Sequence, residues 1–230
     1  MSEEKVLTEE IHTVTSDELK FREEDNIAYL TVEDTPFNGR VENFHENGQK
    51  KVLGHYKDGK RDGLWSWWHE NGQKWCEENY KDDKRDGLRT EWHENGQKAS
   101  EGNCKDGKKD GLWTSWYEDG QKETEGNWKD GKEDGLCTWW YSNGQKGSEE
   151  YWIDGKLHGS SIHWWGNGNR DQEATYKDGK KHGLYKSWHR EGNQASEEHW
   201  IDGKLHGPSI KWLPNGQKEG EAIYKDGEEV

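Results

Sequence analysis

Histidine side chains recur at fixed spacing along this chain of 230 residues and are the first candidates for metal or proton chemistry. His69 and His93 are 24 residues apart, and His158, His182 and His206 form a second set with the same spacing. If each step of 24 residues is a pair of β-strands, equivalent side chains lie about 9.6 Å apart. Zinc requires ligand nitrogens at about 2.0–2.1 Å. We therefore predict no metal site and interpret these histidines as turn-flanking and strand-surface residues.

A column of glutamates has the same spacing and raises the question of acid–base catalysis. Its members are Glu77, Glu101, Glu125, Glu149, Glu173, Glu197 and Glu221. Catalysis by two carboxylates requires a pair held about 5–9.5 Å apart across a cleft, and a regular column singles out no pair. We expect each glutamate to pair with a lysine of the neighbouring strand.

The sequence also lacks a phosphate-binding glycine loop and a serine nucleophile elbow. Its three cysteines, Cys76, Cys104 and Cys137, have neither disulfide nor zinc spacing. These features predict a protein without enzymatic activity and without a cofactor.

An internal repeat sets the positions of all these residues. The motif Asn-Gly-Gln-Lys or a variant of it recurs every 24 residues, beginning at Asn47, Asn71, Asn95, Asp119, Asn143, Asn167, Glu191 and Asn215. A second turn motif, Asp-Gly-Lys, recurs with the same period from Asp58 to Asp226. Asn-Gly and Asp-Gly favour tight hairpins because both residues accept positive φ. Two turns per unit predict an all-β fold, an elongated antiparallel β-meander of tandem 24-residue hairpin repeats.

Aromatic residues supply most of the apolar area, since the chain has 16 Trp and 9 Tyr. Period-two alternation places Leu64, Ser66 and Trp68 on one face and Trp65, Trp67 and His69 on the other. One constant column is predicted to be a structural spine: Trp68, Trp92, Trp116, Trp140, Trp164, Trp188 and Trp212. A second aromatic column runs from Tyr56 to Tyr224.

The face that carries Trp67 varies strongly between units. This variation is typical of a recognition surface and equally of a solvated face, and both interpretations remain open. Large exposed rings favour recognition because Trp dominates binding hot spots. The predicted partner-binding anchors are Trp65, Trp67, Trp75, Trp113, Trp139 and Trp165.

Charge and hydropathy predict the organisation of the chain and its partners. Residues 1–36 carry −8 of the net charge of −15. Residues 1–35 are predicted to be an acidic segment, disordered over the first dozen residues, with one or two capping strands that include Phe21, Ile27, Tyr29, Leu30 and Val32. Residues 36–230 are predicted to form a single array of about eight repeats. The acidity disfavours nucleic acid and favours a basic protein partner. No apolar run is long enough to span a bilayer, so we expect a cytoplasmic protein.

Residues 56–74 read Tyr-Lys-Asp-Gly-Lys-x-Asp-Gly-Leu-Trp-x-x-Trp-x-Glu-Asn-Gly-Gln-Lys. This unit resembles the MORN repeat variant of the bacterial YwqK family of antitoxins, and the resemblance extends over about residues 36–230. The segment Pro36-Phe37-Asn38-Gly39-Arg40 is similar to the Pro-Phe-x-Gly opening of that family. The resemblance implies a β-meander and a role in neutralising a partner toxin.

The leading hypothesis is an antitoxin-like or immunity-like protein that occludes a basic partner protein. One alternative is a structural scaffold that self-associates edge to edge into a homo-oligomer instead of remaining a monomer. A weaker alternative is an adaptor at a membrane surface, which the net acidity disfavours on anionic lipid.

Overall fold

The computed structural model describes residues 13–21, 27–32 and 35–230. These residues lie mostly in β-strands joined by tight turns, with one 3-10 helix at Ser16–Glu18. The disorder predicted for the first dozen residues lies outside the described residues. In the described part of the chain, no helix has the length and apolar character needed to cross a membrane.

The chain divides into two compact units, which are described separately. The first unit comprises the described residues up to Gln97 together with Cys104–Gly107, and the second comprises Lys98–Asn103 and Lys108–Val230. The strands that begin before residue 98 are β1 (Thr13–Val14), β2 (Leu19–Phe21), β3 (Ala28–Leu30), β4 (Gly39–Phe44), β5 (Lys50–Lys57), β6 (Lys60–Arg61), β7 (Gly63–Trp68), β8 (Lys74–Lys81) and β9 (Lys84–Trp92).

The remaining strands follow the repeat without interruption. They are β10 (Lys98–Lys105), β11 (Lys108–Trp116), β12 (Lys122–Lys129), β13 (Lys132–Trp140), β14 (Lys146–Ile153), β15 (Lys156–Trp164), β16 (Arg170–Lys177), β17 (Lys180–Trp188), β18 (Gln194–Ile201), β19 (Lys204–Trp212), β20 (Lys218–Lys225) and β21 (Glu228–Glu229).

Consecutive strands pair in antiparallel fashion within each unit. In the first unit β4 pairs with β5, β7 with β8, and β8 with β9. In the second unit each strand from β11 to β20 pairs with the next strand in the chain. The prediction of an all-β antiparallel meander of hairpin repeats is confirmed.

The two turn motifs adopt different backbone geometries. At the Asp-Gly turn both residues have positive φ, 50° at Asp58 and 72° at Gly59, as predicted. At the Asn-Gly turn only Gly48 does, with φ of 81°. There the Gln49 N–H donates to the Asn47 side-chain oxygen over 3.0 Å, and the Gly48 N–H donates to the His45 carbonyl over 2.9 Å. The expectation of positive φ at both residues is therefore wrong for Asn-Gly, because the loop has three residues and only its last one requires a left-handed backbone.

The described residues that precede Pro36 fold onto the first strands of the repeat. Strand β1 pairs in parallel with β4, with Val14 opposite Val41, and β2 pairs with β3. Leu30 and Phe37 join Val14 and Val41 in a buried cluster with Trp65 and Tyr80, and Leu19 packs against it. This cluster lies on one face of the meander.

The meander has two chemically distinct faces. The aromatic face carries Trp65, Trp67, Glu78 and Tyr80 and the residues at equivalent repeat positions, because Trp65 pairs with Glu78 across β7 and β8 and Trp67 pairs with Cys76. The lysine–glutamate face carries Ser66, Trp68, Lys74 and Glu77 and their equivalents, since Ser66 pairs with Glu77 and Trp68 pairs with Lys74.

Candidate binding face

Two of the six predicted anchors are buried in the sheet. Trp65 and Trp113 are each only 5% exposed. The Trp65 ring lies over Gly54 of the neighbouring strand, where an added Cβ would overlap it, and its indole N–H donates to the His55 carbonyl over 3.1 Å. Trp113 lies over Gly102 in the same way. The prediction of exposed anchors is wrong for Trp65 and Trp113, because a facing glycine lets each ring lie flat on the backbone.

The other four predicted anchors retain exposed ring surface. Trp75 is 39% exposed, and Trp67, Trp139 and Trp165 are partly buried. The Trp165 indole N–H donates to the Trp188 carbonyl over 3.3 Å. The same bridge, from one turn to a carbonyl 23 residues later, is made by His45, Tyr117, Tyr141 and His189. Trp165 therefore also fixes a turn.

The column predicted to be a structural spine lies on the lysine–glutamate face. Every member is partly buried: Trp68, Trp92, Trp116, Trp140, Trp164, Trp188 and Trp212. The Lys74 ammonium lies 5.7 Å from the Trp68 ring centre and 5.8 Å from that of Trp92, so one cation contacts two successive rings. Lys122 lies 5.7 Å from the Trp140 ring centre. The constancy of this column thus coincides with repeated cation–π contacts.

The glutamate column has a partner different from the predicted one. Lys74 pairs with Glu77, three residues later on the same strand. The same pairing recurs as Lys98–Glu101, Lys122–Glu125, Lys146–Glu149, Arg170–Glu173 and Lys218–Glu221. The prediction of a cross-strand partner is wrong for these pairs, because a shift of register between Trp67 and Trp68 brings Lys74 onto the face of Glu77. Glu197 does pair across strands, with Lys186 at 3.2 Å.

In the second unit, the aromatic face contains two cations that lie between aromatic rings. The Lys109 ammonium lies 4.4 Å from the Trp113 ring centre and 4.5 Å from that of Trp128. The Lys181 ammonium lies 3.7 Å from the Tyr185 ring centre and 4.9 Å from that of Trp200. Such contacts are stabilising because the face of an aromatic ring is electronegative.

Glu133 interrupts this pattern at the repeat position of Lys109 and Lys181. Cys137 stands at the repeat position of Trp113, and Trp152 stands at that of Trp128. An acid therefore replaces the cation Lys109, and a small side chain replaces the first of its two flanking rings. Burial raises the pKa of the Glu133 carboxyl, the Glu150 carboxylate raises it further, and Lys109 only partly opposes them. The charge of Glu133 is therefore compensated only in part, by Lys109 of the preceding repeat.

Glu150 and Trp152 complete this environment. Glu150 lies 3.0 Å from the His163 ring nitrogen. Two repeats later, Glu198 and Trp200 occupy the positions of Glu150 and Trp152, and the Trp200 indole N–H donates to Glu198 over 3.0 Å. The buried indole nitrogen of Trp152 has no such partner within the described part of the chain. Burial, followed by Glu150, also raises the pKa of the Tyr176 hydroxyl, so the negative field of Glu150 extends across neighbouring strands.

The aromatic face is covered to different extents in the two units. In the first unit, Leu30 and Phe37 pack on it against Trp65 and Tyr80. In the second unit, the described residues all belong to the strands and turns of the meander. No second layer from that unit covers its aromatic face, whose large rings remain partly exposed at Trp128, Trp139, Trp152, Tyr176, Tyr185 and Trp200.

Three histidines of the second unit each lie close to one aspartate. His182 lies 3.2 Å from Asp202, and equivalent pairs at 3.7 and 3.4 Å are His158–Asp178 and His206–Asp226. Across residues 13–21, 27–32 and 35–230, no group of three or more His, Cys, Asp or Glu side chains is arranged to hold a metal ion.

The charged residues of the aromatic face were absent from the predicted site. One signal for them is present in the sequence, namely a repeat position that reads Arg61, Arg85, Lys109, Glu133, Leu157, Lys181 and Leu205. The change of sign at Glu133 marks the unit in which the environment differs. The register that brings Trp152 and Glu150 near it is visible only in the structure.

Comparison with known families gives one match. The profile of the MORN repeat variant family matches residues 37–58, 61–82, 85–106, 109–130, 157–178 and 205–226, together more than half of the chain. The units that begin at 133 and 181 are unmatched, although β13 and β17 keep the strand bounds of the repeat. No curated protein matches the chain.

Proposed function

Because this chain belongs to the MORN repeat variant family, we propose that it is a non-enzymatic binding protein whose aromatic face in the second unit receives a partner protein. The all-β repeat fold is of a binding type, and the two faces of the meander differ in what they offer a partner. On the lysine–glutamate face most acids already pair with a cation of their own strand. The aromatic face presents rings together with incompletely compensated carboxylates.

One observation supports this choice of face most strongly. In the first unit the aromatic face is covered by the chain's own apolar residues, Leu30 and Phe37 among them. The same face in the second unit carries the large rings of Trp128, Trp139 and Trp152, and the residues of that unit supply no such layer. Clusters of exposed aromatic rings with a polar rim are typical of protein-binding surfaces. The packing of Leu30 and Phe37 indicates how a partner's aliphatic and aromatic side chains would lie on it.

The charge of the chain supports a basic partner. The net charge is −15 at pH 7, and Glu133 and Glu150 add acidic groups to the aromatic face itself. Complementary charge increases association rates and discriminates against acidic partners more than it adds affinity. A partner that approaches this face is therefore expected to present lysine or arginine side chains.

The resemblance to the YwqK family antitoxins supports a more specific form of this function. In that form the chain neutralises a basic toxin by occluding part of its surface. A single meander layer suits this role because each strand adds side chains to the same continuous surface within the unit.

The proposal is tested by capture of the tagged protein and its two variants from a native lysate. Trp139→Ser changes the aromatic face, and Leu136→Ser changes the opposite face of the same strand, where Leu136 is 49% exposed. We expect wild type and Leu136→Ser to retain one stoichiometric protein and Trp139→Ser to lose it. Circular dichroism of the variants confirms that each is folded.

Two results would overturn the proposal. One is the absence of any stoichiometric protein in the wild-type capture, with only higher-order forms of the bait, which would favour the scaffold alternative. The other is a partner that Trp139→Ser retains and Leu136→Ser loses, which would place binding on the lysine–glutamate face.

A further inference from the structure

Three repeats of the aromatic face show how a cation is held there. Arg61 lies 4.1 Å from the Tyr80 ring centre, and Lys109 and Lys181 occupy the same repeat position with their ammonium groups between two rings. In each case the second ring stands 19 residues after the cation, at Tyr80, Trp128 and Trp200. The fold therefore provides a recurring aromatic seat for a positive charge.

At Glu133 the seat is present and the chain's own cation is absent. Trp152 supplies the ring 19 residues later. The side chain four residues after Glu133 is Cys137 instead of Trp113 or Tyr185, and its sulfur lies over Gly126, 2.6 Å from where a Cβ would be. A cysteine occupies much less space above the sheet than an indole or phenol ring. The position thus has room beside the Trp152 ring that the other units fill with their own side chains.

The charges that act at this position are the carboxylates of Glu133 and Glu150 and, opposing them in part, the Lys109 ammonium. Glu133 takes the place of the cation, and neither a hydrogen bond nor an ion pair is found for its side chain within the described part of the chain. Glu150 stands across the strand pair from Cys137, and among the described residues its ion pair is with His163. Burial and then the nearby Glu150 carboxylate raise the pKa of Glu133, and a positive charge beside the two carboxylates would oppose the effect of Glu150.

From this internal comparison we propose that Glu133, Glu150 and the Trp152 ring form a receptor for one arginine side chain of a basic partner protein. The proposal rests on the function proposed above and names the partner chemistry for that face. A guanidinium stacks on an indole ring more readily than an ammonium does, and its planar donors can bond two carboxylate oxygens at once. It would complete in trans the arrangement that Lys109 and Lys181 make within the chain.

The test uses the full chain and a fluorescent peptide of six arginines, with a peptide of six citrullines as the uncharged isostere. Glu133→Lys places a cation in the seat from within, as at Lys109, so the fold is expected to tolerate it. Its matched control is Glu149→Lys, which makes the same change of charge on the opposite face of β14. At physiological salt we expect the arginine peptide to bind wild type about tenfold more tightly than Glu133→Lys, and Glu149→Lys to weaken it by less than about threefold.

A gain-of-binding variant keeps the test independent of any loss of folding. The double variant Lys181→Glu/Tyr185→Cys reproduces the Glu133 and Cys137 arrangement beside Trp200 and Glu198, and it should raise the stoichiometry from one arginine peptide per chain to two. The indole N–H resonance of Trp152, assigned with Trp152→Phe, should shift with the arginine peptide and not with the citrulline peptide.

Equal weakening by Glu133→Lys and Glu149→Lys would overturn the receptor, because binding would then follow net charge alone. Equal affinity for the two peptides would also overturn it. If a captured partner is lost by Trp139→Ser and unaffected by Glu133→Lys, the receptor fails and the proposed function stands. If the peptide binds as expected and no partner is captured, the proposed function fails and the receptor stands.

Discussion

The indole ring of Trp113 lies flat on the backbone of Gly102, in the space that a Cβ at Gly102 would fill. The Trp113 N–H donates over 2.9 Å to the carbonyl of Asn103, which follows Gly102 on the neighbouring strand β10. Trp65 and Gly54 repeat this relationship in the first unit. Trp139 also lies over a glycine, Gly147, but it remains partly exposed. A facing glycine therefore allows a tryptophan of the neighbouring strand to pack on the backbone and does not by itself bury it.

Substitution of Gly102 tests this packing. Gly102→Ala is expected to lower the free energy of unfolding by about 1–3 kcal/mol, because a rigid ring must move to accommodate the new methyl group. Gly220→Ala is the control, since Gly220 also lies in a strand and has no heavy atom within 4 Å of its Cβ position. Urea unfolding compares the two, and an equally stable Gly102→Ala would contradict the packing of Trp113.

Gly179 separates backbone strain from crowding. It has φ of +81° at an Asp-Gly turn, with no heavy atom within 4 Å of its Cβ position. Gly179→Ala is therefore expected to cost about 1 kcal/mol through the left-handed backbone alone. Gly220→Ala again serves as the control, because its surroundings are equally open without positive φ. Equal urea midpoints for the two variants would show that this turn tolerates side chains.

The carboxyl of Glu133 gives stability a dependence on pH. Its pKa is raised by burial and by Glu150 above the ordinary value of 4.5, so the folded state binds its proton more tightly than the unfolded state does. The associated stability is present below the ordinary pKa and is lost as pH rises through the raised pKa. Glu133→Gln should therefore raise the urea midpoint at about pH 7 and leave it unchanged below about pH 4. A midpoint that Glu133→Gln lowers at neutral pH would contradict this sign.

Glu78 is expected to behave in the opposite way. It is 3% exposed, and Arg85 and Arg89 lie 3.0 and 2.7 Å from its oxygens. Burial alone would raise the pKa of Glu78, but hydrogen bonds from Tyr80 and Arg85 and the charges of both arginines outweigh burial and lower it. The stability it contributes is present above the ordinary pKa and is lost as pH falls through the lowered value.

Removal of this carboxylate should therefore be costly at neutral pH. Glu78→Gln is expected to lose about 3 kcal/mol at about pH 7, because the buried carboxylate that pairs with Arg85 and Arg89 is removed, and less in acid. Urea unfolding of wild type and Glu78→Gln at both pH values measures this. A loss that is the same in acid and at neutral pH would assign the effect to packing alone.

The repeat and the strands could be predicted from the sequence because turn residues determine them locally. Asp-Gly at Asp58 and Asn-Gly at Asn47 mark the ends of each strand, and alternation then assigns the faces. The contacts on those faces depend on neighbours from other strands. Trp65 and Trp67 were assigned to one face correctly, yet only Trp65 is buried, since Gly54 lies beneath it.

Register also explains the two other differences. The glutamates pair along their own strand because a bulge at Trp75 in β8, opposite Trp67 and Trp68, places Lys74 on the face of Glu77. A pattern of residue types does not reveal a bulge unless its geometry is known. The environment of Glu133 was missed for the same reason, because the pairing of β13 and β14 places Trp152 opposite Gly135 and Glu150 opposite Cys137, on the same strand as Glu133.

Site-specific photo-cross-linking tests the central claim most directly, because it reports which face a partner contacts. A photoreactive phenylalanine would replace Tyr176 on the aromatic face or Tyr151 on the opposite face, where Tyr151 is 45% exposed. Both substitutions exchange one aromatic side chain for another. The proposed function predicts a cross-link to the captured protein from position 176 and none from position 151. A cross-link from position 151 alone would contradict the assignment of binding to the aromatic face.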